Sequence, residues 1–181
     1  MLTLPDYLQP GLDLVFVGIN PGLYSAQRGE YFARKTNRFW PAFNAAGFTR
    51  EPLTPATGKE ALNHGIGFTD VVKRATGQMA ELKTSEFKTG ATALEKKLLQ
   101  YEPRFICFNG LSGYKHYLRF TTPEAPIPVL GLQLLTIARS RVYVMPSTSA
   151  ANAAVPLSAI VAHLQSLKRL LQEERTGRGR G

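Results

Sequence analysis

The chain has 181 residues, enough for one domain with a sizeable core and too short for two comfortable ones. Apolar residues make up 44% and charged residues 19%, a globular balance that excludes a disordered chain. The net charge of +9 points to a polyanionic partner, nucleic acid before an acidic membrane surface.

The first predicted element is an apolar strand over 13–18, which stops at the turn Gly18-Ile19-Asn20-Pro21-Gly22. Such a turn puts Asn20 at the carboxyl end of a strand, where open α/β sheets place ligands. An asparagine accepts through its amide oxygen and donates through its nitrogen but has no proton to titrate, so a catalytic Asn20 positions water rather than deprotonating it. The turn leads into Leu23-Tyr24-Ser25-Ala26 and on to Tyr31-Phe32; it lacks the Gly-Lys-Ser/Thr ending of a phosphate loop, which disfavours nucleoside triphosphate binding. Asn37-Arg38 then opens a helix whose Phe39, Trp40, Phe43 and Ala46 share one face and which Gly47 is placed to end. Packing accounts for those aromatics but not for the polar pair before them.

A short strand around Ile66-Gly67-Phe68 leads to Thr69 and Asp70. Thr84 or Ser85 is expected to cap a helix running to about Tyr101, with Leu94, Leu98 and Leu99 inward. Further strands are predicted at 104–109, 129–137 and 141–145, the last running into Pro146-Ser147-Thr148-Ser149-Ala150-Ala151-Asn152. After Pro156, Leu157, Ile160, Val161, Leu164, Leu167, Leu170 and Leu171 form the clearest amphipathic helix, and residues 176–181 read as a flexible basic tail after a single domain over 1–175. Strands alternating with helices predict one three-layer α/β domain with a central, mostly parallel sheet covered on both faces.

The single cysteine, Cys107, lies in an apolar run and reads as a buried structural thiol; alone it excludes an internal disulfide and a cysteine-rich metal site. His64, His116 and His163 are scattered without ligand spacing, so neither a metal nor a cofactor is expected. With no signal-peptide pattern and no long apolar stretch, a cytoplasmic chain without membrane contact is expected.

Taken together and in order, Gly-Ile-Asn-Pro-Gly at 18–22, Asn-x-Phe-Trp at 37–40, Gly-Ile-Gly-Phe-Thr at 65–69, Tyr-x-Pro-Arg at 101–104, Phe-Asn-Gly at 108–110 and Val-Met-Pro-Ser at 144–147 closely resemble the mismatch-specific uracil and thymine DNA glycosylases. The resemblance covers nearly the whole chain. It implies a uracil-DNA-glycosylase-like fold and a monomer that binds double-stranded DNA containing uracil or a mismatched pyrimidine. It further implies that the nucleotide is flipped out and its N-glycosidic bond hydrolysed without a cofactor, which starts base-excision repair. Asn20 then holds the attacking water near C1′ and Phe32 stacks on the flipped base, although an aromatic there also suits a core. Backbone groups around Ile19 and Phe32 read the pyrimidine edge, within a base site of Gly18, Ile19, Pro21, Gly22, Tyr24, Phe32 and Asn37. Asn109, Gly110, Ser147, Thr148, Ser149, Ala150, Ala151 and Asn152 are expected at the DNA, with the hydroxyls donating to phosphates.

Two positions depart from the family pattern. Where relatives carry a bulky Leu or Arg wedge, this chain has Ala151, whose methyl cannot plug the gap left by a flipped base; weak discrimination by the opposite base follows. Where relatives tend to carry Asn or Lys, this chain has Asp70, a carboxylate able to accept the proton that Asn20 cannot take or to stabilise an oxocarbenium-like sugar. The plainer reading of Asp70 is an ion pair with Lys73 or Arg74. Lys35, Arg38, Lys73, Arg74 and Lys115 are candidate phosphate contacts. No lysine stands at a motif position to form a Schiff base, so a monofunctional enzyme is expected. The alternative is a non-catalytic binder of mismatched or abasic DNA.

Overall fold

The computed structural model describes residues 1–178. In β1 (Leu14–Gly18), Leu14 and Phe16 enter one core while Val15 and Val17 enter another, the period-two alternation of a pleated strand. β2 (Ile66–Asp70), β3 (Phe105–Asn109) and β5 (Ser140–Met145) are likewise buried almost throughout, which is why they read as continuous apolar runs. These strands lie parallel in the order β2-β1-β3-β5, and β4 (Gly131–Ile137) closes the five-stranded sheet as an antiparallel edge.

Helices cover both faces. α2 (Phe39–Ala46), a 3₁₀ segment (Pro55–His64) and α5 (Leu157–Arg178) pack on the face of Phe16, Phe68 and Cys107; α3 (Thr84–Tyr101) and α4 (Leu111–Thr121) pack on that of Val17, Ile106 and Phe108. Phe16 centres the first core, its ring 5.0 Å from Phe39 and 5.7 Å from Phe68. Each ring so buried contributes about 1.5–3 kcal/mol. The expected three-layer α/β domain is therefore observed, with Cys107 buried and its thiol pKa pushed up by desolvation.

Local details depart from expectation in several places. Gly47 does end α2, at φ 74°, with its N–H on the Asn44 carbonyl. Neither Thr84 nor Ser85 caps α3, however. Lys83 is its N-cap, and the Lys83 N–H donates 2.9 Å to Glu86 Oε2. The buried stripe is Phe87, Ala91, Leu94 and Leu98, so Leu99, one residue round the helix, is 46% exposed. Two helices were not expected: α1 (Leu23–Arg28), too short to show a period, and α4, although its buried Tyr114, Tyr117 and Leu118 recur at helical spacing. α5 buries Ile160, Leu164, Leu167 and Leu171 and leaves Leu157 exposed. It continues to Arg178, so 176–178 extend the helix, while the rest of the basic tail, 179–181, lies outside the described residues. Among the described residues, no helix is long and apolar enough to cross a membrane.

From β1 the chain passes over the α2 face to β2, whereas from β3 it enters α4 on the other face. The loops leaving these neighbouring strands diverge at their carboxyl ends. That divergence opens the crevice in which doubly wound sheets bind ligands.

Candidate active site

A cleft of about 640 Å³ occupies this crevice. Its lining brings together four stretches distant in sequence: Gly18–Gly22 after β1, Tyr31 to Asn37 before α2, Asp70 at the end of β2, and Ser147–Ala151 after β5. A second cavity, about 460 Å³ between Asp13, His64 and Lys168, lies at the opposite end of the strands and holds none of the candidate residues.

Asn20 is held by its nitrogen. Nδ2 donates to the Arg74 carbonyl at 2.9 Å, to Thr76 Oγ1 at 2.8 Å and to the Pro21 carbonyl at 3.2 Å. Backbone carbonyls only accept, so they fix which end of the amide faces them. The amide oxygen remains as the acceptor at the cleft, the end suited to orient a water.

Asp70 is the most unusual group in the lining. It is only 5% exposed, and its Oδ2 has no hydrogen-bond partner among the described residues. The Lys73 ammonium stands 3.5 Å away, within range to attract but without a hydrogen bond. The buried Tyr31 hydroxyl is near enough to feel the same carboxyl, and it too lacks a partner of good geometry. Desolvation raises the Asp70 pKa to about 6, against the opposing pull of Lys73 and with help from the negative charge of Asp6. Burial and the nearby Asp70 charge push the Tyr31 phenol up. The plainer reading is thus met in part, through the ion pair with Lys73, while Arg74 is paired with Glu86 instead.

Phe32 is half-buried and lines the cleft, its ring stacked 4.1 Å on Phe39. Its φ of 53° places a non-glycine residue in the left-handed region. Such strain persists where the surroundings over-determine it and clusters at ligand sites. One ring face of Phe32 thus packs on Phe39, as the core reading expects, and the residue also borders the cleft.

The polar pair before α2 has two internal duties. Asn37 Oδ1 accepts from the Phe39 N–H at 2.9 Å, an Asx turn that leads into α2, whose N-cap is Arg38. Arg38 donates to the carbonyls of Ser149 (3.1 Å), Asn152 (2.9 Å) and Val155, so one guanidinium holds the whole loop after β5. From the sheet side Asn109 grips the same loop: its Nδ2 donates to Thr148 Oγ1 at 2.9 Å and its Oδ1 accepts from the Thr148 N–H at 3.0 Å.

Several expected contacts are corrected by these bonds. Thr148 is fully buried, so Ser147 and Ser149 are the hydroxyls left to meet a phosphate. Asn109 does line the cleft, but it is buried and its amide is paired with Thr148. Gly110 is not in the lining; it backs onto Ser147, whose Cβ would stand 3.1 Å from a Cβ at 110. Asn152 donates to the Ser147 carbonyl instead of reaching into the cleft. Tyr24, 43% exposed, lies outside the cleft lining, with Arg28 over its ring. Among the phosphate candidates Arg38, Lys73 and Arg74 have internal partners, Arg74 through a bidentate pair with Glu86, while Lys35 and Lys115 are exposed. Ala150 and Ala151 are exposed on the loop at the cleft.

Sequence reading missed the wall formed by Thr76 to Ala80, whose Thr76 hydroxyl helps hold Asn20. The Thr76-Gly77 turn was its one visible signal. It also missed Ser25, whose hydroxyl accepts from the Ala33 N–H just beyond Phe32.

Among solved structures, a solution NMR structure from Methanosarcina acetivorans, described as a candidate uracil DNA glycosylase, superposes with a TM-score of 0.57 at 23% identity, covering 92% of this chain and 97% of that one. At that identity the likeness is one of fold. The family model described as the uracil DNA glycosylase superfamily matches residues 5–168, from the segment before β1 into α5 and across every wall of the cleft. The chain belongs to the uracil DNA glycosylase superfamily.

Proposed function

We propose that the protein is a monofunctional DNA glycosylase that flips uracil, including uracil opposite guanine, out of duplex DNA and hydrolyses its N-glycosidic bond. The observation that carries this reading is the convergence in one cleft of Asn20, anchored by its nitrogen, and Asp70, buried with an oxygen free of hydrogen bonds. The extruded base stacks beside Phe32. Asn20 Oδ1 orients a water toward C1′, the C1′–N1 electron pair leaves with the base, and the Asp70 carboxylate takes the water proton as the new C–O bond forms. Backbone amides lining the cleft stabilise the departing anion. Lys73, held 2.7 Å from Asp6, is engaged away from any Schiff-base role, in keeping with a monofunctional reaction.

The test is base release from guanine–uracil duplexes in chelator, with wild type, Asn20→Ala and Asp70→Ala side by side. Release by wild type, crippled in both variants, is expected. Loss in Asn20→Ala alone would return Asp70 to a structural role. The exposed Ala151 methyl at the wedge position favours one second reading, a binder of abasic or mismatched DNA. No release by wild type, together with tight abasic binding, would select it.

A further inference from the structure

Two lysines and two carboxylates meet beside the cleft, but the charges are not shared evenly. Asp6 is held against β2 because Tyr7 and Phe68 exchange backbone hydrogen bonds of 2.9 and 3.0 Å. Its Oδ1 accepts from Thr69 Oγ1 at 2.8 Å and from Lys73 Nζ at 2.7 Å; its Oδ2 accepts from Lys97 Nζ at 2.5 Å. Lys73 is 3.5 Å from Asp70 Oδ2, and no hydrogen bond reaches that oxygen among the described residues. Both cations therefore hydrogen-bond Asp6, which is outside the cleft lining, whereas Asp70, which is in it, has only the longer ion pair with Lys73.

Resting on the reading of Asp70 as the proton acceptor, we infer that Asp6 is a positioning residue for the reaction: by holding Lys73 in the shorter contact on its own carboxylate, it keeps that ammonium from closing its 3.5 Å ion pair with Asp70 into a hydrogen bond, and so leaves Asp70 able to take the water proton. A lysine brought into hydrogen-bond contact would stabilise the charged form of Asp70 and weaken it as a base. The ionisable groups around Asp70 are Tyr31 from the α1–α2 loop, Lys73 from the loop after β2 and Asp6 from the N-terminal segment, with Lys97 of α3 behind Asp6. Tyr31 is neutral, so the balance between Asp6 and Lys73 decides the field at Asp70.

The experiment is a carbon-13 NMR titration of the Asp70 side-chain carboxyl alongside the pH dependence of single-turnover uracil release. Both are done on the full chain for wild type, Asp6→Asn and Lys97→Met. Asp6→Asn keeps an acceptor for Thr69 but removes a negative charge and frees Lys73. Its Asp70 titration and the acidic limb of its rate profile are both expected to move about one pH unit lower, the lesser end of what an adjacent opposite charge produces. Lys97→Met, at a half-buried position outside the cleft lining, is expected to move both higher and serves if Asp6→Asn folds poorly. A general loosening of the fold does not produce shifts of opposite sign. An Asp70 titration unmoved in the variants would overturn the role of Asp6. A titration that moves while the acidic limb of the rate profile stays in place would instead overturn Asp70 as the proton acceptor.

Discussion

Gly18 and Asp70 are register partners at the ends of adjacent parallel strands, and a Cβ on residue 18 would sit 2.6 Å from Asp70 Oδ1. The bare backbone of β1 is what lets the carboxylate lie against it. Gly18→Ala is therefore expected to push Asp70 out of place while leaving the strand pairing intact. A displacement of about 1 Å at a reacting group costs on the order of 100-fold in rate. Single-turnover uracil release should fall by that order while the thermal midpoint drops by only a few degrees; equal rates would remove the constraint.

Asp70 should also leave a mark on stability. Its folded-state pKa of about 6 stands above the ordinary carboxylate value of 3.8, so the native protein binds more protons than the unfolded chain between those pH values. Stability from this group is present at low pH and is lost as pH rises through about 6. Asp70→Asn removes the effect, amounting to roughly 2–3 kcal/mol above that range. In urea unfolding from pH 4 to 7, the variant should gain on wild type as pH rises, while its base release falls about 10²–10⁴-fold, the usual contribution of a general base.

Arg38 and Lys35 should separate loop-holding from DNA-holding. Arg38 donates to three carbonyls of the loop that lines the cleft, so Arg38→Met is expected to cost about 1.5–3 kcal/mol and to speed hydrogen exchange over 148–155. Its plot of log Kd against log salt for duplex DNA should keep the wild-type slope. Lys35 is exposed beside the cleft residues Arg34 and Thr36, so Lys35→Ala is expected to flatten that slope by about 0.9, the signature of one lost phosphate contact.

Ala151 stands exposed at the rim of the cleft with only a methyl to offer. Release rates from uracil opposite guanine, opposite adenine and in single strands are expected to lie within about tenfold of one another, because nothing bulky fills the vacated stack; one lost or gained side-chain contact changes discrimination by roughly 10–200-fold. Ala151→Leu should raise the duplex rates relative to the single-strand rate. A strong guanine preference in wild type would show that another group reads the opposite base.

The residue order alone determined the sheet and its main helices. Parallel strands buried on both faces are apolar along most of their length, and the stripes of α2 and α5 repeat at helical spacing, so both signals are local. The turn after β1 was legible locally, as a strand stopped by Gly and Pro, whereas the carboxylate ending β2 became a candidate through the family resemblance. α1 escaped because its six residues are too few to show a period, and Leu99 was misplaced because one residue of helical rotation is finer than a periodic pattern resolves.

What each polar side chain spends its hydrogen bonds on was decided only by tertiary structure. Thr148 and Asn109 looked like DNA contacts and are a buried latch; Arg38 looked like a phosphate contact and clamps a loop more than a hundred residues away. Asp6 gave no sign of bearing on Asp70, sixty-four positions later, because only the Tyr7–Phe68 bridge and the approach of α3 bring Lys73 and Lys97 onto one carboxylate. Hydrophobic burial follows a pattern written along the chain, whereas a carboxylate's basicity depends on which charges stand within a few ångströms of it, and only the folded arrangement sets those distances.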